Sequence, residues 1–213
     1  MIYDLFMPTN ERKTENLVRN ILRDYINDFD TDKQVIIEEQ RSDNPRIDKL
    51  LQHASKKGGG IGKPEFIVSF SHKNDVLIVI ECKGNTKYHK SKTLDGYASY
   101  AVDGSLLYSS FLSKEFTVFA VGVSGENKDE LKIDTFLQVK GEQKARDLNQ
   151  QKILPFKEYF NLLKKDSVKE NTDLNALIEY SKTLNQNLRD DFEFEENHRP
   201  LIVSGILLAL EEP

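Results

Sequence analysis

A single cysteine, Cys82, stands in this chain of 213 residues. One thiol excludes an internal disulfide framework and a cysteine-based zinc cluster, and it fits a reducing compartment. No apolar run approaches the roughly 20 residues that a membrane-spanning helix requires. A basic stretch followed by an apolar one, the mark of a secretory leader, is missing from the N-terminus. The expectation is a soluble, cytoplasmic protein with no membrane partner. The glycine motif that binds S-adenosylmethionine is absent. So is a P-loop, because Gly58-Gly59-Gly60-Ile61-Gly62 lacks the preceding strand and the Gly-Lys-Ser/Thr ending before a helix. By itself the chain is expected neither to methylate nor to translocate. Repeats and low-complexity segments are also lacking.

What is present is a polar but foldable composition, 38% hydrophobic and 31% charged. That supports a real core under a heavily charged surface. The length suits one α/β domain with a short extension. A formal net charge of -5 runs against a uniformly basic nucleic-acid binder, but the local field near a ligand matters more than the total. Charge is unevenly spread. Lys56, Lys57, Lys63, Lys73, Lys83, Lys87, Lys90 and Lys92 crowd one stretch, while Asp190, Asp191, Glu193, Glu195 and Glu196 make an acidic tail.

Helical spacing of Leu17, Val18, Ile21, Leu22, Tyr25, Ile26 and Phe29 predicts a first helix over Asn10–Phe29, capped by Thr9 or Asn10. Glu15 falls at the edge of its buried face. Strands are predicted over Lys33–Gln40, Glu65–Phe70, Val76–Cys82, Phe116–Val123 and, last, Leu131–Val139. Helices are predicted over Arg46–Lys57, Leu94–Leu112, Phe156–Leu163, Asp173–Leu188 and Pro200–Leu210. The continuous apolar run Val76–Ile80 predicts a central strand covered on both faces. The fold class expected is α/β, a mixed central sheet flanked by helices with a helical C-terminal extension. The boundaries are residues 1–150 for the sheet domain and 151–213 for the extension.

Pro64-Glu65 lies sixteen residues before Glu81-Cys82-Lys83. Glu81 and Lys83, at i and i+2, project to one face of the strand end. A hairpin through Ser71–Asp75 can bring Glu65 beside them. Phosphodiester cleavage has a use for that set: carboxylates from two strands can hold Mg²⁺, and a lysine can orient water or stabilise developing negative charge. A lone Glu-x-Lys is more often a solvated strand end. The apolar strand, the upstream Pro-acid pair and the inward Glu15 together favour the chemical reading. Lys56, Lys57 and Lys63, around the glycine segment, could follow a DNA backbone or form an ordinary solvated loop. His53 and His89 could reach a phosphate, although a lone histidine is more often a surface residue. Cys82 alternates away from Glu81 and Lys83 and reads as a packed thiol.

Glu15, Pro64-Glu65 and Glu81-Cys82-Lys83 resemble the PD-(D/E)XK nuclease pattern. Gly62-Lys63-Pro64-Glu65-Phe66-Ile67, Ile80-Glu81-Cys82-Lys83, Ala101-Val102-Asp103-Gly104 and Val121-Gly122-Val123-Ser124-Gly125 resemble the N-terminal endonuclease domain of type IIG restriction-modification enzymes. The resemblance implies a restriction-endonuclease-like fold and Mg²⁺-dependent cleavage of double-stranded DNA, with Mn²⁺ able to substitute. It makes Glu65 and Glu81 metal ligands, Lys83 the catalytic lysine, and Glu15 the support of a second metal or its water. It also implies a fused N6-adenine methyltransferase and target-recognition domains beyond Pro213, the segment Arg199–Leu207 resembling the start of the linker. The chain ends just after the apolar run Leu201–Leu210, so a piece of a longer protein is expected. Cutting both strands needs two sites or two events, which transient dimerisation would supply. One departure stands out: the family usually carries Asp where this chain has Glu65. A catalytically weak, DNA-binding or assembly module of the same fold is the alternative that this residue allows.

Overall fold

Eight consecutive residues, Val76–Lys83, form the third strand of a six-stranded sheet, and all eight are buried. The structure is a computed structural model that describes residues 11–27, 35–56, 58–190 and 198–211. The strands β1 (Val35–Glu38), β2 (Phe66–Phe70), β3 (Val76–Lys83), β4 (Thr117–Ser124), β5 (Lys132–Gln138) and β6 (Arg146–Gln150) lie side by side in chain order. β3 and β4 run parallel and the other neighbours antiparallel. A parallel pair needs a crossover, and α3 (Ala101–Leu112) supplies it.

β-branched side chains suit a pleated surface, and the unbroken apolar run in β3 demands cover on both sides. Leu77 and Val79 face one way. They join Ile47 and Leu51 of α2 (Pro45–Leu51), Val102, Tyr108 and Leu112 of α3, and Ile67 and Ala120 of the neighbouring strands in one core. The opposite face carries Phe66, over which stacks Arg19 of α1 (Glu11–Asn27). Val18 and Leu22, four apart on α1, are fully buried on that side. This is the α/β architecture that the sequence predicts, a mixed sheet flanked by helices, and it is consistent with a restriction-endonuclease-like fold.

Several boundaries differ from expectation. Predicted from Leu94, α3 begins only at Ala101. Asp103, completely buried, accepts from the backbone N–H of Ser91 (3.1 Å) and Gly96 (2.8 Å) and from the Ser91 hydroxyl. These bonds gather residues 91–96 into a loop, and Leu94 takes a positive φ of 60° that no helix allows. Gly122 explains how closely α3 lies on the sheet. A Cβ there would come within 2.6 Å of the Val102 nitrogen and Cγ2.

Leu131–Val139 is not the last strand. β6 follows it, pairing with β5 across an irregularity at Thr135/Phe136. Its sequence, Arg-Asp-Leu-Asn-Gln, is half-exposed along its length, so an edge position replaces the apolar signature of a strand. The helices predicted over Phe156–Leu163 and Asp173–Leu188 are one, α4 (Phe156–Asp190). The intervening Lys164–Thr172 contains neither glycine nor proline to break it. α5 spans Arg199–Glu211. The chain divides into two compact units, residues 1–156 and 157–213. The predicted cap at Thr9 or Asn10, Phe29 and the start of the first predicted strand lie outside the described residues. Among the described residues, no helix is long and apolar enough to cross a membrane.

Candidate active site

The turn between β2 and β3 sets the register. Phe66 pairs with Ile80 and Ile67 with Val79, so one further step places Glu65 opposite Glu81. With a side-chain period of two, both carboxyls emerge on the face covered by α3. Lys83 follows at i+2. α1 brings further acids, because buried Thr14 donates to the carbonyls of Gly125 (2.8 Å) and Lys83 (3.3 Å). That anchor holds Glu11 and Glu15 beside the ends of β3 and β4.

These groups converge. One carboxylate oxygen from each of Glu11, Glu15 and Glu65 lies within 4.8 Å of the other two. Lys83 Nζ stands 3.1 Å from Glu11 Oε1 and 3.4 Å from Glu81 Oε1. Glu81 has no solvent exposure. Its Oε1 accepts from Lys56 Nζ as well, at the end of a loop that follows α2, while its Oε2 has no hydrogen-bond partner. Gly104 of α3 makes room for it, since a Cβ there would sit 3.1 Å from Glu81 Cγ. Glycine, a poor helix former, is thus explained by the carboxyl beneath it.

Electrostatics follow from that crowding. Burial, then the charges of Glu81 and Glu15, push the Glu65 carboxyl up to about 7, against the pull of Lys56 and a hydrogen bond from Gln40. Burial also raises Glu81, only partly offset by Lys56 and Lys83. For Lys83 burial works against the ammonium, but Glu81 and Glu11 outweigh it and hold its pKa above the ordinary value. Tyr108 is pushed upward by burial and by Glu81. Its ring lies 5.7 Å from Lys56 Nζ.

An all-oxygen set of carboxylates suits a hard cation such as Mg²⁺ or Mn²⁺. The unpartnered, fully buried Glu81 Oε2 is the kind of atom that a cation would satisfy. The residues present therefore fit a divalent metal.

The chain is similar to part of a restriction enzyme. It is 29% identical to the type II restriction enzyme and methyltransferase RM.BcgI of Heyndrickxia coagulans, over 97% of this chain and 34% of that protein. The chain thus spans about a third of the length of this relative. No family model matches the chain, and no solved structure matches it significantly.

The remaining sequence-predicted residues are scattered. Lys63 and His53 are exposed, and Lys57 lies outside the described residues. Lys56 points inward to Glu81 rather than along the surface. His89 is interior. Its Nδ1 shares a 2.9 Å hydrogen bond with Ser124 Oγ, and its Nε2 lies 3.7 Å from Asp134. Burial keeps it below the ordinary histidine value. Cys82 is fully buried as a free thiol. Glu11 is absent from the motif pattern, yet it lies one turn from Glu15 on the same helix face, and that spacing points to the site. Gln40 was not foreseeable. It takes a φ of 59° and donates its N–H to Pro64 O at 2.9 Å, a contact between segments far apart in the chain.

Proposed function

We propose that the chain is a metal-dependent DNA endonuclease domain of the PD-(D/E)XK type, part of a restriction-modification enzyme. The observation that carries this reading is Glu81, wholly buried with one oxygen unpartnered, beside Lys83 and the converging Glu11, Glu15 and Glu65. Burying a carboxylate so incompletely satisfied is expensive, and a structural role alone offers no return for it. Similarity to a restriction enzyme and methyltransferase supports the same assignment.

In this reading Glu65 and Glu81 hold Mg²⁺, with Mn²⁺ as a substitute, and Glu15 with Glu11 supports a second ion or its water. When bound, the metal polarises the scissile phosphate and lowers the pKa of water. Lys83 keeps its charge, because Glu81 and Glu11 stabilise the ammonium. It can therefore orient the attacking water or meet the negative charge that develops on phosphorus oxygens. Lys63 and its neighbours supply sequence-independent phosphate contacts on double-stranded DNA. The sheet unit acts as the nuclease domain, and residues 151–213 lead toward a fused N6-adenine methyltransferase and target-recognition region. Two copies meeting transiently would cut both strands.

Cleavage of plasmid DNA with Mg²⁺ or Mn²⁺ tests this. Glu81→Gln and Lys83→Met should each lower the rate about 100-fold or more while circular dichroism stays that of the parent. Full activity in either variant removes the catalytic assignment. A catalytically weak, DNA-binding module of the same fold is favoured by one observation, the glutamate at position 65 with its raised pKa. Glu65→Asp decides between them. Retained or increased cleavage supports the nuclease, and DNA binding without metal-dependent cutting in both forms supports the module.

A further inference from the structure

We infer that Lys56 is a displaceable counter-ion that stands in for the metal at Glu81 and sets how tightly the site takes a divalent cation. This rests on the metal-dependent reading above. Lys56 reaches Glu81 from outside the strand pair, and its Nζ bonds the same oxygen, Oε1, that Lys83 approaches. Its charge also acts on Glu65, the other proposed ligand. The same ammonium thus neutralises one proposed ligand and acts on the charge of the other, as a divalent cation held by the two would. The three acids that already lie within mutual reach are Glu11, Glu15 and Glu65, whereas Oε1 of Glu81 is held by Lys56.

A metal and an ammonium cannot share this place at low cost, since like charges a few ångströms apart repel by several kcal/mol at an effective dielectric of about 20. One must leave, and the chain around Lys56 is built to let it. Gly58, Gly59 and Gly60 follow with φ of 74°, 69° and 107°, and a side chain at Gly58 or Gly59 would meet nothing within 4 Å. Lys56 itself is held by the Glu81 bond and the face of Tyr108. Without metal it neutralises a buried carboxylate that Lys83 alone approaches only at 3.4 Å. With metal it withdraws, and the glycine segment 58–60 moves with it.

The test is calorimetric titration of the chain with MnCl₂, for the parent, Lys56→Gln and Lys56→Arg. Thermal melts in chelator accompany it. Lys56→Gln should bind Mn²⁺ about tenfold more tightly yet melt lower without metal, a pairing that a purely structural lysine would not produce. Lys56→Arg should keep the parent's melt and its affinity. In the parent, the amides of Gly58 and Gly62, bonded to the Ser55 and Leu51 carbonyls, should exchange faster once Mn²⁺ is bound. This holds the proposal to account even if Lys56→Gln does not fold. Mn²⁺ binding that is equal or weaker in Lys56→Gln, or exchange unchanged at saturation, overturns the counter-ion alone. No Mn²⁺ binding by any form overturns the metal site as well.

Discussion

Glu65→Gln should make the folded chain more stable at pH 8 than the parent, and the advantage should vanish by pH 4. The folded state holds the Glu65 carboxyl up to about 7, from an ordinary 4.5, through burial first and then Glu81 and Glu15. A raised carboxyl favours the protonated folded state. Its favourable contribution is complete below about pH 4.5 and is lost as pH climbs through 7, beyond which the penalty is constant. The full displacement is equivalent to about 3 kcal/mol. Glu65 keeps part of its solvent contact, so screening reduces this to about 1–2 kcal/mol. For a unit of this size that is roughly 3–6 °C in Tm. Glutamine keeps the shape and hydrogen-bonding capacity without the charge. The assay is thermal unfolding of both proteins in chelator from pH 4 to 8, read as a difference curve. The difference removes the opposing contribution of His89, whose lowered pKa makes stability rise with pH in both proteins. Because Glu81 is raised alongside, the curve belongs to the pair. Parallel melting curves across this range would refute the crowding of carboxylates on which the site is built. Adding Mn²⁺ should reverse the order at pH 8, because the parent alone retains the full set of anionic ligands.

Three further outcomes are expected. Gly122→Ala places a methyl 2.6 Å from the Val102 backbone nitrogen, and should cost about 2–4 kcal/mol in a urea titration as α3 is pushed off the sheet. Asp103→Ala strands the Ser91 and Gly96 donors, so a loss of about 2–3 kcal/mol is expected, with limited proteolysis opening first in the 91–96 loop. DNA binding by the chain should fall steeply in a salt series, as released counterions require. An affinity indifferent to salt would exclude Lys63 and its neighbours as phosphate contacts.

The local pattern carried the central features. Val76–Ile80 has no polar alternation, so it had to be a strand covered on both faces, and the period of two put Glu81 and Lys83 on one side whatever the rest of the chain did. The distance from Glu65 to Glu81, spanned by a short turn, allowed them to face each other. Val18 and Leu22 marked the buried stripe of α1 for the same reason, a period imposed by backbone geometry. What lay beyond such periods was settled by contacts between distant segments. Lys56 reads as a surface lysine until the loop after α2 turns it onto Glu81. His89 reads as a lone histidine until Ser124 and Asp134 close around it. Asp103 shortens its helix because donors seven and twelve residues back need a buried acceptor, and β6, nearly devoid of apolar residues, is a strand only because β5 offers it an edge. Periodicity is a property of the backbone and travels with the sequence. Burial and charge pairing depend on which segments meet, and only the folded chain decides that.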